Sequence, residues 1–542
     1  MTNPSQLPSD LSPEERRALL AELLRQKARA IKTTQPLTYG QQALWFNYQL
    51  APESPAYNVA FASFIHSPVN VAAMRRAFET LVTRHSALRT TFPLEGERPV
   101  QSISAAADFT FERVDAAGWS DAELHSAVDL AYRQPFDLAR GPLHRLFLFT
   151  RSEGEHVLLF TVHHVVVDGW SIGILTDELY TLYRADVAGR PANLPPVENQ
   201  FSDYAAWHNT MLAGPQGQKL RTYWHESLAG ELPVLDIPTD FPRPTVQSFR
   251  GATLEAAIEG DLLQGLRALA RSEHTTLYTV MLSAFYVLLH RYTSQEDLIV
   301  GTPMAGRSHT EFQKTVGYMV SPVPMRAHIT GDLPFKTLLA QVRHVVLGAL
   351  DAQDYPFALL VEELQPRREA GRTPIMEVMF NLIATQHFGQ MAEALSGGGQ
   401  TQATEVGSLR MENYPLSQED GQFDLNLMVV ESADRMLMGF KYSTDLFADA
   451  TIQRMAAHLR KLLEGVVAHP DQHVGSIPIL SGSEREQILV QWNATAMDYP
   501  ADRCVHELVA EQAAHTPQAI ALRCEGAQIS YAELDQRANQ LA

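Results

Sequence analysis

The chain has 542 residues, 45% of them hydrophobic and 19% charged, with a net charge of −19. That length exceeds what a single core usually holds, so two or more domains are expected. The acidic balance argues against a nucleic-acid-binding surface. The only cysteines, Cys504 and Cys524, leave everything before them without a disulfide, a thiol nucleophile or a thiolate metal site, a usage that fits a reducing cytoplasm. The first twenty residues lack the basic start and apolar run of a secretory signal.

In chain order, "SPEERRALLAELLRQKARA" (12–30) predicts a helix with Ser12 as N-cap and Glu15 at the third position beyond it. It reads either as a solvated terminal helix or as a docking element for an upstream protein. Helix 74–88, strand 156–168 and helix 173–186 follow. A second cycle has helix 277–292, strand 297–304, helix 335–351 and strands 375–382 and 423–431. The apolar stretch "LYTVMLSAFYVLLH" (277–290) is interrupted by Thr, Ser and His and is too short for a membrane span, so a buried helix is expected. Mixed elements of this kind predict layered α/β lobes. Between about 385 and 420, "SGGGQTQATEVG" predicts a flexible loop, and helix 450–470 closes the pattern at a proline. Residues 498–542 begin a new alternation that stops inside an apparent helix, as in a piece excised from something longer.

The chemistry-bearing candidates cluster in "HHVVVDGWSIG" (163–173). Strand alternation sends His163 and His164 to opposite faces, so the two are a poor pair for one metal ion, and no metal site is expected. Asp168 would lie about 13 Å from His164 on a continuous strand, too far to orient the ring as in a hydrolase triad. An acid beside Gly169 fits better as a frame, paired with an arginine or with backbone N–H groups. Gly169-Trp170-Ser171-Ile172-Gly173 matches the G-x-S-x-G nucleophile elbow, with a strand before it and a helix after it. No HGGG-like oxyanion segment accompanies it, and Ser171 serves more simply as the cap of the following helix. "GTPMAGRS" (301–308) approaches a phosphate loop, but Pro303 lacks an N–H and Arg307 stands where the lysine belongs. A strand-end turn presenting Arg307 is the simpler reading, which makes Arg307 a candidate partner for Asp168.

His163, His164, Asp168 and Gly169 form the pattern His-His-x-x-x-Asp-Gly. This resembles the signature of the condensation-domain superfamily of nonribosomal peptide synthetases. Further segments resemble that family's motifs in its order: "LTYGQQALWFNYQL" (37–50), "RHSALRTTF" (84–92), "FSDYAAWHN" (201–209), "VGTPMAGR" (300–307), "VGYMVSPVPMR" (316–326), "RTPIMEVMFNL" (372–382) and "FDLNL" (423–427). The resemblance spans about 37–470, and the tail with "ISYAELDQRANQLA" resembles the start of an adenylation domain.

The resemblance implies an α/β fold of two chloramphenicol-acetyltransferase-like lobes in a V-shaped pseudo-dimer, with a tunnel between them. The lobes would be 37–212, carrying the His-His motif, and 213–470, a non-catalytic copy. They would follow a helical segment (1–36) and precede a linker (471–497) and an adenylation fragment (498–542). It also implies amide-bond formation between an acyl thioester and the amine of a carrier-bound aminoacyl acceptor. His164, with His163, would be catalytic. The His164 imidazole would either accept the amine's proton or stabilise the zwitterionic tetrahedral species. Asp168, Gly169, Arg307 and Arg89 would support the site, and Trp170, Ser171, Ser321 and Asn381 would line the tunnel. No intrinsic cofactor is implied. Substrates would arrive on phosphopantetheine or as acyl-CoA, and partners would be carrier proteins and the adenylation domain in cis, with no nucleic acid and no membrane.

With no carrier domain ahead of the lobes, the slightly favoured reading is a starter domain that N-acylates the first amino acid from a fatty acyl-CoA. An elongation domain fed by an upstream carrier protein is the alternative. An epimerisation domain would follow a carrier domain, and a heterocyclisation domain would have Asp in place of His163. A serine hydrolase using Ser171 and a non-catalytic carrier-binding scaffold are the readings from other classes.

Overall fold

The computed structural model describes residues 32–367, 369, 371–384, 404–406, 408–416 and 421–542. The predicted helix 12–30 lies outside them. Residues 32–36, expected to belong to a helical segment, form a strand paired with Arg98–Ser104. The chain divides into two units, Met1–Ile479 and Leu480–Ala542.

Two six-stranded sheets organise the first unit. In spatial order, the first sheet contains Thr404–Val406, Leu409–Asn413, Asn58–Ile65, Glu155–His163, His144–Ser152 and Thr110–Asp115. Its strand Glu155–His163 is buried along nearly its whole length, which is why "HVLLFTV" reads as a continuous apolar run. Alternate residues serve different cores. Leu158, Phe160 and Val162 pack with helices Val71–Arg84 and Gly169–Val187, whereas Val157 and Leu159 pack with helix Asp121–Arg133.

The second sheet runs Ser321–His328, Asp297–Met304, Val378–Ala384, Leu425–Glu431, Arg435–Ser443 and Gly251–Glu259. Against it lies helix Leu277–Thr293, buried on almost every side, as its apolar sequence requires. Helices Phe335–Asp351 and Asp449–Ala468 present only one apolar face to the same core.

Much of the Gly- and Thr-rich range predicted as a loop, about 385–420, lies outside the described residues, and within it Thr404–Val406 and Leu409–Asn413 are strands. Residues 409–413 form a strand that pairs with Asn58–Ile65 of the first sheet. A segment from the expected second lobe, 213–470, therefore completes the first sheet. The predicted strand 156–168 also ends early, at His163, and His164–Val166 is a 3₁₀ turn. Among the described residues, no helix is long and apolar enough to cross a membrane.

The second unit has helix Val505–His515, a hairpin of Ile520–Cys524 with Ala527–Ser530, and helix Tyr531–Leu541. Glu525 and Gly526 both have positive φ, as a two-residue hairpin turn demands. Cys504 and Cys524 are exposed free thiols.

Two histidines in the first sheet are buried uncharged. Neither ring nitrogen of His144 has a hydrogen-bond partner among the described residues. Burial, helped by Arg145, pushes the His144 pKa down from 6.5 to about 3. Burial, helped by His164, does the same to His163. Between these values the unfolded chain binds protons that the folded chain refuses, so stability is lost as pH falls from 6.5 toward 3. The slope is about 1.4 kcal/mol per pH unit for each histidine. Urea unfolding of the wild type between about pH 6.5 and 5, above the range in which carboxylates titrate, should show this loss, and His144→Leu should remove about half of it; an unchanged slope in the variant would refute the assignment.

Candidate functional site

The site is built where the first sheet's central strand ends. The His163 ring is buried, and its Nδ1 accepts the backbone N–H of Val165 at 3.1 Å, which starts the turn. A second tie comes from the helix Tyr39–Leu50: the buried Gln41 donates from Nε2 to the carbonyl of Val165 at 3.2 Å. His164 donates its backbone N–H to the carbonyl of Tyr57 at 2.8 Å. Its ring Nδ1 lies 2.7 Å from the carbonyl of Val167. A carbonyl can only accept, so Nδ1 carries the proton, and Nε2 of the neutral ring presents its lone pair. The sharp turn invalidates the strand-spacing premise that separated His164 from Asp168. The two are nevertheless not partnered, because Asp168 is fully committed elsewhere.

Asp168 accepts five hydrogen bonds. Arg307 donates from Nη1 at 2.8 Å and from Nη2 at 2.9 Å. Ser171 donates from its backbone N–H and from its hydroxyl, each at 2.8 Å, and the N–H of Met319 donates at 3.0 Å. Burial alone would raise the pKa of Asp168; the Arg307 charge and these bonds outweigh it and hold the carboxyl below its ordinary range. The pair joins the end of the first sheet to the turn after strand Asp297–Met304 of the second. Gly306 makes that turn possible: its φ is +65°, and a Cβ there would stand 2.0 Å from the Met319 carbonyl oxygen. Arg307 also donates to the carbonyls of Ala305 and Thr315, and its guanidinium lies 5.7 Å from the centre of the Trp170 ring.

Several expected roles change. The N-cap of helix Gly169–Val187 is Asp168, not Ser171, which sits at the third helical position. The Ser171 hydroxyl is fully buried between Asp168, Arg307, the Gly317 carbonyl and the Gly317 N–H, at 2.8–3.0 Å. It is no exposed nucleophile. Gly169 opens the helix, and nothing lies within 4 Å of where its Cβ would stand, so the packing there does not demand glycine. Arg89 bonds to the carbonyls of Val82 and Ser104, bracing its own neighbourhood rather than the histidine turn.

A cavity of about 630 Å³ opens between the elements of the two sheets. It is lined from one side by residues such as Asn47 and Tyr57, and from the other by Tyr318, Ser321 and Phe357. Of the four expected lining residues only Ser321 faces it. Trp170 donates its ring N–H to the Gln313 carbonyl, Ser171 is enclosed, and Asn381 sits within strand Val378–Ala384 opposite Met428. His164 and His163 do not line this cavity; Tyr318, which does, packs its ring against His164 with centroids 5.1 Å apart and planes at 88°. Sequence reasoning passes over Tyr318: its segment, 316–326, carries a family-like motif, but nothing in the pattern marks the tyrosine ahead of Ser321. Among the described residues, no three His, Cys, Asp or Glu side chains are grouped to hold a metal ion.

Removing either partner of the buried pair strands the other charge. Arg307→Ala and Asp168→Asn should each lower the stability of the folded unit by about 3–5 kcal/mol. Arg307→Lys should recover only part of this, because an ammonium cannot reproduce the two-pronged contact. Urea denaturation decides; a loss under about 1 kcal/mol for both removals would show that the pair does not hold the site.

A family model described as Condensation domain matches residues 31–489. A linear gramicidin synthase of Brevibacillus parabrevis is 39% identical over 513 residues, covering 94% of this chain and 6% of that protein. Surfactin synthase subunit 1 of Bacillus subtilis (strain 168) is 36% identical over 508 residues, covering 94% of this chain and 13% of that protein. This chain thus spans a small part of such relatives. Among solved structures, a four-domain nonribosomal peptide synthetase bound to AMP and glycine superposes with a TM-score of 0.80 at 26% identity, over 94% of this chain and 38% of that one. The first condensation domain of the CDA synthetase shares the fold, with a TM-score of 0.67 at 19% identity over 83% of this chain and 99% of that one. With its His-His-x-x-x-Asp-Gly turn at the junction of two sheets, the chain belongs to the condensation-domain family, the amide-forming acyltransferases of nonribosomal peptide synthetases.

Proposed function

We propose that this chain joins an acyl thioester to the amine of an aminoacyl thioester, with His164 as the catalytic residue. The observation that carries the reading is the fixed tautomer of His164: Nδ1–H is spent on the Val167 carbonyl, which leaves the Nε2 lone pair for an incoming amine. The amine nitrogen attacks the thioester carbonyl, the C–N bond forms and the C–S bond breaks. The amine's proton passes to Nε2, or is stabilised there, and ends on the departing thiolate. Holding two tethered substrates head to head supplies much of the remaining rate. His163, buried and uncharged, serves as scaffold for the turn.

The substrates are borne on the phosphopantetheine of carrier proteins, with acyl-CoA as the donor in a starter reaction. Residues 37–212 and 213–470 act as the two lobes, 471–497 as a linker, and 498–542 as the beginning of an adenylation domain. The last assignment is supported by a match to the four-domain synthetase that covers 94% of the chain, beyond the family model's end at residue 489.

Mass spectrometry of an aminoacyl carrier protein, incubated with acyl-CoA or with acyl-carrier donors, tests the reading and identifies the donor. His164→Ala should lower amide formation by about 100-fold or more. Ser171→Ala should retain turnover per folded molecule, and a fluorophosphonate should not label Ser171. Loss of activity in Ser171→Ala with normal activity in His164→Ala would instead establish the hydrolase reading. Binding of the carrier with no product from any donor would establish a scaffold.

A further inference from the structure

The cavity and the imidazole are separated by one side chain. Tyr318 lines the cavity, and its ring packs edge-to-face against His164, which does not line it. On the helix Tyr39–Leu50, Gly40 leaves room for the same ring: a Cβ at position 40 would stand 2.8 Å from Tyr318 Cε1. The backbone on either side of Tyr318 is pinned. The Gly317 N–H donates to the Ser171 hydroxyl at 3.0 Å, and the Met319 N–H donates to Asp168 at 3.0 Å. The main chain at residue 318 is thereby tied to the buried ion pair, and the freedom left to Tyr318 is rotation of its side chain.

We propose that Tyr318 is a specificity-determining gate between the cavity and His164, its ring setting how bulky a group can pass beside the reacting amine. The proposal rests on the reading of His164 as the catalytic imidazole. A small aminoacyl side chain passes with the ring in place. An aromatic one has to displace it from contacts with both His164 and Gly40. Tyr318 is a positioning residue in this account, since no proton or bond is assigned to its phenol.

The test compares alanyl- and phenylalanyl-pantetheine thioesters as acceptors, using the donor that supports wild-type turnover, with thermal melts to establish that each variant is folded. Tyr318→Ala should raise the kcat/KM ratio of phenylalanyl to alanyl acceptor about ten-fold, the scale on which pocket size discriminates. Tyr318→Phe, which keeps the ring, should leave the ratio within about two-fold. Gly40→Ala, whose Cβ would crowd the ring at Cε1, should change the ratio as well. An unchanged ratio in folded Tyr318→Ala overturns the gate. Should that variant turn nothing over, the same comparison is made with Kd values for the non-hydrolysable aminoacyl-pantetheine amides, and an unchanged Kd ratio overturns it equally. A wild type that binds these amides but forms no product refutes the catalytic reading, while the Kd ratio still decides the gate.

Discussion

The site depends on one buried ion pair. Asp168 and Arg307 are 139 residues apart in sequence, and both side chains are about 2% exposed. Two charges taken out of water cost several kcal/mol each, so such a pair persists only where nearly every polar atom is satisfied. Here the carboxylate receives five donors, and the guanidinium reaches two carbonyls and a hydroxyl besides. The arrangement does more than offset desolvation. One carboxylate oxygen caps the helix after the histidine turn, while the other holds the backbone next to Tyr318. The segment bearing the imidazole and the wall of the cavity are thus fixed by the same group.

Ser171 shows how a sequence pattern can point to the wrong chemistry. A nucleophilic hydroxyl needs a nearby base and open space for a carbonyl carbon. The Ser171 hydroxyl has one proton and two acceptors competing for it, Asp168 and the Gly317 carbonyl, and its lone pairs receive Gly317 N–H and Arg307. It is a junction between the two halves of the ion-pair network. The glycines and the strand–turn–helix setting that suggested an elbow reflect the tight turn from sheet to helix, a feature that both chemistries share.

Much of this fold was legible because its long helices carry uninterrupted patterns. Strand 297–304 and helix 335–351 fall where periodicity placed them, and helix 277–293 ends within a residue of its expected bound. The strand 409–413 was illegible for a physical reason: its stability comes from pairing with residues 63–65, more than 300 positions away, and its five residues, LRMEN, are too few for alternation to stand out beside the Gly- and Thr-rich stretch before them. Around the site, alternation failed at His164, where the backbone leaves the sheet for a 3₁₀ turn that no propensity announces. The pairing of Asp168 with Arg307 was legible from chemistry, since a buried acid needs a cation and "AGRS" offered one at a strand end. The cavity lining was not. Trp170, Ser171 and Asn381 sit in or beside suggestive motifs, but side-chain direction there is set by contacts between segments that local sequence does not encode.

The adjacent histidines divide their labour through opposite tautomers. His163 uses Nδ1 as an acceptor for the Val165 N–H, so in the neutral ring its proton sits on Nε2. His164 uses Nδ1 as a donor to the Val167 carbonyl, so its Nε2 is bare. Each state is imposed by the backbone of the same short turn, and the turn is held at its far end by Asp168. Burial keeps His163 neutral, so it places no positive charge beside the His164 ring. A cation at position 163 would repel any positive charge that develops beside it. Burial and the backbone partners of one short turn therefore give two identical neighbours in sequence different protonation and exposure.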